Sequence, residues 1–356
     1  MNHRILGRTR LSVGEIGIGC WAIGGPDWNL RMEMGWGGTD DTLSLAGLHR
    51  AFELGANYFD TADVYGHGHS ERILGAFLKE VPREQVVLGT KVGYFSGSAP
   101  YAYHPLHMRH QLEMSLNNFG TEYVDIYYFH NLYFGRDNEH LPDAVDTMRR
   151  FLCEGKIRAI GQRGPHSYAA LRNIHPHTGD DKYQHFLRIA SVIEPAVIQV
   201  RYNMISPTFD EPQHDIFAWA QTHDVGVIMN KPLAQGLLID KYDPGKPPAF
   251  VDGDHRRNKQ WFRPDALRIL QSRITTLKKR FGDRTEDLVR VALQYCLARS
   301  TDACVAVGFT NPSQIETNLA AADRCLSQED VEFIRTVMSG VNAEIGGRFI
   351  KEESAR

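Results

Sequence analysis

The residues best able to do chemistry lie in the segment NYFDTADVYGHGHSE, Asn57 to Glu71, where a carboxylate, Asp60, and a phenol, Tyr65, stand five residues apart after a short apolar run. Two further apolar runs end on polar residues that a buried strand has no reason to carry: VVLGTKVG brings in Lys91 and YVDIYYFH ends on His130. A phenol, with a reference pKa of roughly 10, needs help to exchange a proton near neutrality. A lysine ammonium beside it favours the phenolate, and an aspartate keeps that ammonium charged and oriented. On this reading Tyr65 protonates a carbonyl oxygen as hydride arrives at carbon, or removes the proton in the reverse direction, while His130 hydrogen-bonds the same oxygen. Taken singly, Lys91 also reads as a snorkelling surface lysine, His130 as a satisfied core histidine and Asp60 as a helix cap; the ordered set favours catalysis.

The elements that must position these side chains are legible as alternating short apolar runs and longer amphipathic segments, the pattern of repeated βα units on a parallel sheet. Eight strands are expected, near Glu15–Gly19, Tyr58–Asp60, Val86–Lys91, Val124–His130, Ile157–Gly161, Val197–Val200, Gly226–Met229 and Ala303–Val307. Thr39, Asp40 and Asp41 offer a cap for a helix through Leu54 that Gly55 stops; Ser70 and Glu71 open the next; Glu154-Gly155-Lys156 closes another. Eight such units predict one α/β domain over residues 1–356, a (β/α)8 TIM barrel with extra loops and a C-terminal helix. A doubly wound open sheet is the competing architecture, but no GxGxxG follows the first strand. The additional length falls in loops 22–39, 93–104, 131–140 and 234–264, the last reading as a lid or cofactor clasp.

Forty basic against 43 acidic side chains, a formal charge of −3, and no block of like charge argue against nucleic-acid or polybasic membrane binding. Five scattered cysteines without a CxxC pair argue for free thiols in a reducing compartment, hence a cytoplasmic protein, and no apolar run approaches a membrane span. The histidine-rich stretches at His67 and His69, His104 to His110 and His175 to His185 lack a HExxH or Cys/His framework, so no metal is expected.

In order along the chain, LGRTRLSVGEIGIGCWAIGG, WGGTDD, GANYFDTADVYGHGHSERILG, VVLGTKVG, YVDIYYFHN, EGKIRAIG and VGFTNPSQIETN resemble the landmarks of the aldo-keto reductases, from near residue 5 to about 320. The sequence is similar to the bacterial branch carrying WAIGG and WGGTDD, and more distantly to the β subunits of voltage-gated potassium channels. The resemblance implies a (β/α)8 barrel, a nicotinamide dinucleotide with NADP(H) preferred over NAD(H), a small carbonyl or alcohol substrate, and Asp60, Tyr65, Lys91 and His130 as a catalytic tetrad. It further implies Trp21 and Asp60 near the nicotinamide end, Gln199 on its carboxamide, Pro232 and Leu233 along the pyrophosphate path, Lys241 and Arg257 closing over the phosphates, and Gly308, Thr310, Gln314 and Asn318 at the adenosine end. Arg256 and Arg257 lend the only support in this chain for NADPH. Self-association into a homo-oligomer is left open.

Three departures stand out. Where relatives carry a serine and an asparagine after the fifth strand, this chain reads GQRGPH; Gln162 is a candidate substitute carboxamide partner, and Arg163 reads either as an anchor for an acidic or polyhydroxylated substrate or as a solvated loop arginine. In IMNKPLAQG, Asn230 takes the place of the aromatic that stacks on nicotinamide, leaving Tyr202 or Trp21 to compensate. Thr317 stands where an acidic residue is common before Asn318. Loop aromatics Trp28, Trp36, Tyr94, Phe95, Tyr101 and Tyr103 are candidate pocket linings that would suit a sugar or polyol. Two other classes of function remain: a dinucleotide-binding sensor or partner-binding protein with little turnover, and a metal-dependent hydrolase on the same barrel.

Overall fold

Strands buried on both faces read as nearly continuous apolar runs, and the eight expected here close on themselves. In this computed structural model, which describes residues 1–29, 31–95, 97–165, 182–207, 214–323 and 325–345, the barrel strands are β1 (Ile16–Gly19), β2 (Tyr58–Asp60), β3 (Val87–Val92), β4 (Val124–Phe129), β5 (Ile157–Arg163), β6 (Val197–Arg201), β7 (Gly226–Asn230) and β8 (Ala303–Gly308). All neighbours pair parallel in chain order, and β8 returns to β1 through Val307 opposite Ile18, so the sheet has no free edge. The open-sheet alternative is thereby removed. β5 runs two residues beyond the expected end, so Gln162 and Arg163 belong to a strand and not to a loop.

Helices α1 (Asp41–Glu53), α2 (His69–Leu78), α3 (Pro105–Phe119), α4 (Leu141–Cys153), α5 (Lys182–Ile193), α6 (Ile216–Thr222), α7 (Pro264–Phe281), α8 (Thr285–Leu297), α9 (Pro312–Leu319) and α10 (Gln328–Met338) surround the barrel. Asp40 caps α1 by accepting the Leu43 amide, and Gly55 past its end adopts φ +89°. Ser70 does not cap α2: its hydroxyl is buried, donating to the Cys20 carbonyl and accepting from Thr61. The five cysteines are unpaired, three of them buried, and no described helix is long and apolar enough to cross a membrane.

A two-stranded ribbon, His3–Ile5 with Ser12–Gly14, precedes the barrel. Leu6 and Val13 join Tyr58, Ile126, Tyr128, Val197 and Ile228 in an inner cluster, separate from the larger core between sheet and helices. At the other end, two of the long loops clasp each other. Gly253 accepts the amides of Asp27 and Gly35, each at 3.0 Å, and Asp254 accepts that of Gly37 at 2.8 Å. Loop 22–39 and loop 234–264 are therefore tied into one clasp at the barrel mouth.

Inside the barrel Tyr128 lies tightly across Gly161: a Cβ there would come within 2.2 Å of the Tyr128 ring. Gly161→Ala should therefore destabilise the fold by about 1–3 kcal/mol, the usual cost of overpacking. A urea-unfolding midpoint lowered at unchanged m-value would show it.

Candidate active site

The four tetrad candidates converge at the C-terminal ends of adjacent strands, where barrels of this kind carry their chemistry. Asp60 ends β2, Tyr65 sits in the turn that follows, Lys91 is the penultimate residue of β3 and His130 directly follows β4. Lys91 is fully buried, and its Nζ donates to Asp60 Oδ2 at 2.9 Å and to the Thr61 carbonyl. Asp60 Oδ1 accepts from Gln199 Nε2 at 2.8 Å and from the Tyr58 hydroxyl at 3.2 Å, and Tyr58 in turn meets the Tyr128 hydroxyl at 3.1 Å. A buried ion pair persists only when its remaining lone pairs and protons are satisfied, and here several backbone and side-chain groups do so.

Tyr65 lies over this pair, with Lys91 Nζ 5.1 Å from its ring centroid and the His130 ring 5.9 Å away edge-on. The turn is held against loop 22–39 by two glycines back to back: Gly66, at φ +62°, would bring a Cβ within 2.0 Å of the Gly24 carbonyl oxygen. Burial pushes the Tyr65 phenol up from its ordinary range and the Asp60 carboxylate adds to this, while Arg163 opposes it. The net shift is upward, opposite to the lowering expected from Lys91, and the phenol rests protonated. Burial also lowers the Lys91 ammonium, with Asp60 opposing.

A cavity of about 520 Å³ opens beside Tyr65 and continues along the ends of β7 and β8. Trp21, Asp60, Gln199, Pro232, Leu233, Lys241, Gly308, Thr310, Gln314 and Asn318 all line it, together with Tyr65. Lys91 and His130 are not part of that lining; they stand behind Asp60 and beside Tyr65. Gln199 is engaged at both ends, since its Oε1 also accepts from Arg163 Nη1 at 2.6 Å. Asn311 caps α9 by accepting the Gln314 amide, and Gln314 Oε1 accepts the Thr310 amide.

Arg257 is not brought to the cavity. Its Nη1 pairs with Glu33 at 2.9 Å and Asp252 at 2.7 Å in the clasp. Arg256 is equally committed, to Asp254 at 2.6 Å, to the Tyr242 hydroxyl and to the face of Trp36 at 3.7 Å. The support drawn from these two arginines for NADPH is therefore withdrawn: charge alone in a sequence does not say which acids a loop folds against.

Other expectations are corrected by side-chain direction. Successive strand residues point to opposite faces, so on β5 Arg163 enters the cavity whereas Gln162 is fully buried away from it. Arg163 is therefore not a solvated loop arginine. Tyr202 is buried and stacked on Tyr295 at 5.7 Å, in the core, so that of the two compensating candidates Trp21 is the one at the cavity. Of the loop aromatics, Trp36 lines the cavity and Tyr94 faces His130 at 4.3 Å. Phe95 packs on His67, Tyr101 on His140 and Tyr103 on Phe134, while Trp28 donates to Asp252.

The histidine stretches are largely accounted for: His67 pairs with Asp27, His69 with Asp41, and His107 bonds the Phe95 carbonyl. Among the described residues no three His, Cys, Asp or Glu side chains gather to hold a metal; His175 and His177 lie outside the described residues. Lys231, which lines the cavity and follows β7, was overlooked because a lysine before a proline reads as an ordinary loop residue. Its position directly after a buried strand, like that of His130, was the available signal.

The closed parallel barrel thus gathers a phenol, an ammonium, a carboxylate and an imidazole at one mouth. The family profile described as "Aldo/keto reductase family" matches residues 15–338, and the chain belongs to that family, whose members are oxidoreductases using nicotinamide cofactors. It is 27% identical over 343 residues to the NADH-specific methylglyoxal reductase of Escherichia coli, covering 93% of this chain and 96% of that protein. It is 26% identical over 345 residues to the L-galactose dehydrogenase of Arabidopsis thaliana, covering 95% and 94%. Among solved structures it resembles an aldo-keto reductase from Bacillus halodurans in its holo form, with a TM-score of 0.68 and 25% identity over 95% of this chain and 96% of that one. The glycerol dehydrogenase of Gluconobacter oxydans shares the fold, with a TM-score of 0.71 at 23% identity over 95% of both chains.

Removing one partner of a buried ion pair leaves the other charge uncompensated. Lys91→Met should cost about 3–5 kcal/mol of stability, and Asp60→Asn combined with it should recover part of that loss. A double-mutant cycle by chemical denaturation measures both.

Proposed function

We propose that this chain interconverts a carbonyl and an alcohol with Tyr65 as the acid/base, and the observation that carries this reading is the Lys91–Asp60 pair buried beneath a phenol that burial keeps protonated. A nicotinamide dinucleotide, when bound, supplies or accepts the hydride. The residues fit that group. The cavity is lined by Trp21 and Tyr65 as well as by Thr317 and Asn318, and at Gly308 a Cβ would meet only the Gly19 carbonyl oxygen, at 3.8 Å, so the backbone is open to close approach.

Tyr65 holds a proton until negative charge develops on the oxygen beside it. Lys91, through space, then favours the phenolate left behind, and Asp60 keeps the ammonium in place. His130 orients the same oxygen. Trp21 and Trp36 form an apolar wall, and the clasp of loops 22–39 and 234–264 limits water. Asn230, with neither amide atom bonded among the described residues, offers polar contacts where a stacking aromatic is usual.

For the cofactor, NADP(H) is the expectation from the sequence, but among the described residues the end assigned to adenosine is lined by Thr310, Ser313, Gln314 and Thr317 without an arginine. One relative is described as NADH-specific and another, from Schizosaccharomyces pombe, as an NADP(+) enzyme. A charge-assisted bond to a 2′-phosphate is worth about 1.5–3 kcal/mol. Without one, the kcat/KM ratio for NADPH over NADH should stay within about tenfold, which steady-state rates with both dinucleotides will show. Methylglyoxal, L-galactose and glycerol, named for relatives, belong in the first substrate panel together with aldehydes, quinones and keto-sugars. The reading also places the protein in the cytoplasm, in keeping with its free thiols.

Tyr65→Phe should lower NADPH-dependent turnover by about 10²–10⁴ while leaving dinucleotide binding in place. Equal turnover by the two proteins at 340 nm would remove the acid/base role. Binding without turnover on every carbonyl in the panel would instead favour a sensing function.

A further inference from the structure

Lys231 occupies a position that its own surroundings do not explain. It follows β7 in the left-handed region, at φ +58°, a conformation that a residue with a side chain adopts at a cost. Its Nζ lies 4.7 Å from the centroid of the Trp21 ring and borders the cavity. Among the described residues Nζ makes no ion pair and no hydrogen bond. The charged groups that act on it are Arg163 at the end of β5, Arg201 at the end of β6 and Lys259 from the clasp, all cationic. His255, also from the clasp, packs edge-on to Trp21 at 4.9 Å and is held neutral by burial and by Lys231 and Lys259. The carboxylate lining the cavity beside Tyr65, Asp60, is already committed to Lys91.

We propose that Lys231, with Arg163 lining the same cavity, forms an anion site that holds one oxyanion beside Trp21: a phosphate of the bound dinucleotide or a carboxylate of the carbonyl substrate. The proposal rests on the oxidoreductase reading above and adds the chemistry that its ligands must carry. An ammonium at the cavity wall with only cations acting on it and no counter-ion of its own among the described residues, as at Lys231, is costly, and an arriving oxyanion relieves that cost. Arg163 adds a planar fork suited to phosphate or carboxylate, with Nη1 already positioned by Gln199.

Burial and the neighbouring cations lower the Lys231 ammonium to about 7. The bound anion favours the protonated form, so binding takes up a proton, and affinity falls as pH rises through about 7, by at most tenfold per pH unit.

The test uses the full-length protein, Lys231→Met and Lys231→Arg, with NADPH, NADH and oxalate as probes, read by quenching of protein fluorescence at pH 6.5 and 8.5. If the dinucleotide phosphate is the ligand, Lys231→Met weakens both dinucleotides about ten- to a hundredfold, Lys231→Arg restores binding, and the pH dependence disappears in the methionine variant. If a substrate carboxylate is the ligand, dinucleotide affinity is unchanged and oxalate binding to the dinucleotide-loaded protein shows the same loss and rescue. Both probes unaffected by Lys231→Met, or weakened equally at both pH values without rescue by arginine, overturns the proposal. Failure of wild type to bind either dinucleotide would count against the oxidoreductase reading instead, and oxalate with the unloaded protein then decides the anion site.

Discussion

The site depends on keeping one positive charge, that of Lys91, inside the barrel mouth. An ammonium without solvent access needs a nearby carboxylate and full hydrogen bonding, and Asp60 and the Thr61 carbonyl provide them. Asp60 is fixed in turn by Gln199 from β6 and Tyr58 from its own strand, and Tyr58 leans on Tyr128 from β4. One ion pair thus ties together strands from both halves of the barrel. The closed sheet is what brings them within reach, and the glycines Gly161 and Gly89 make room for the Tyr128 and Tyr58 rings.

The same burial governs Tyr65. A phenol without water around it keeps its proton, and the nearby carboxylate reinforces this. In the proposed reaction Lys91 would therefore matter as charge develops on the oxygen being protonated, not as a device that ionises the phenol at rest. Loops 22–39 and 234–264 are bonded to each other beside this arrangement, and Arg256 and Arg257 are paired with acids of that clasp.

The barrel was legible because its strands are short apolar runs ending abruptly on polar residues. Lys91 and His130 betray the strand ends and the site together, and the positions of all eight strands agree to within a residue or two, β5 being the longest departure. Gly55 and Asp40 mark α1 for local reasons that sequence carries faithfully. What sequence could not resolve depends on alternation and on long-range partners. Shifting the end of β5 by two residues decides that Arg163, and not Gln162, faces the cavity. Tyr202 and Tyr103 are aromatic enough for a pocket, yet each is claimed by a neighbouring ring in the core. Lys231 became visible only once Trp21, Arg163 and His255 were placed around it.

The most direct test of the central claim is an ultraviolet difference titration of wild type against Tyr65→Phe, which isolates the ionisation of one phenol. The account predicts no tyrosinate signal from Tyr65 anywhere between pH 6 and about 10, because burial and Asp60 hold it above the ordinary phenol value. A tyrosinate appearing near neutral pH would contradict it, and would mean that Lys91 ionises the phenol at rest.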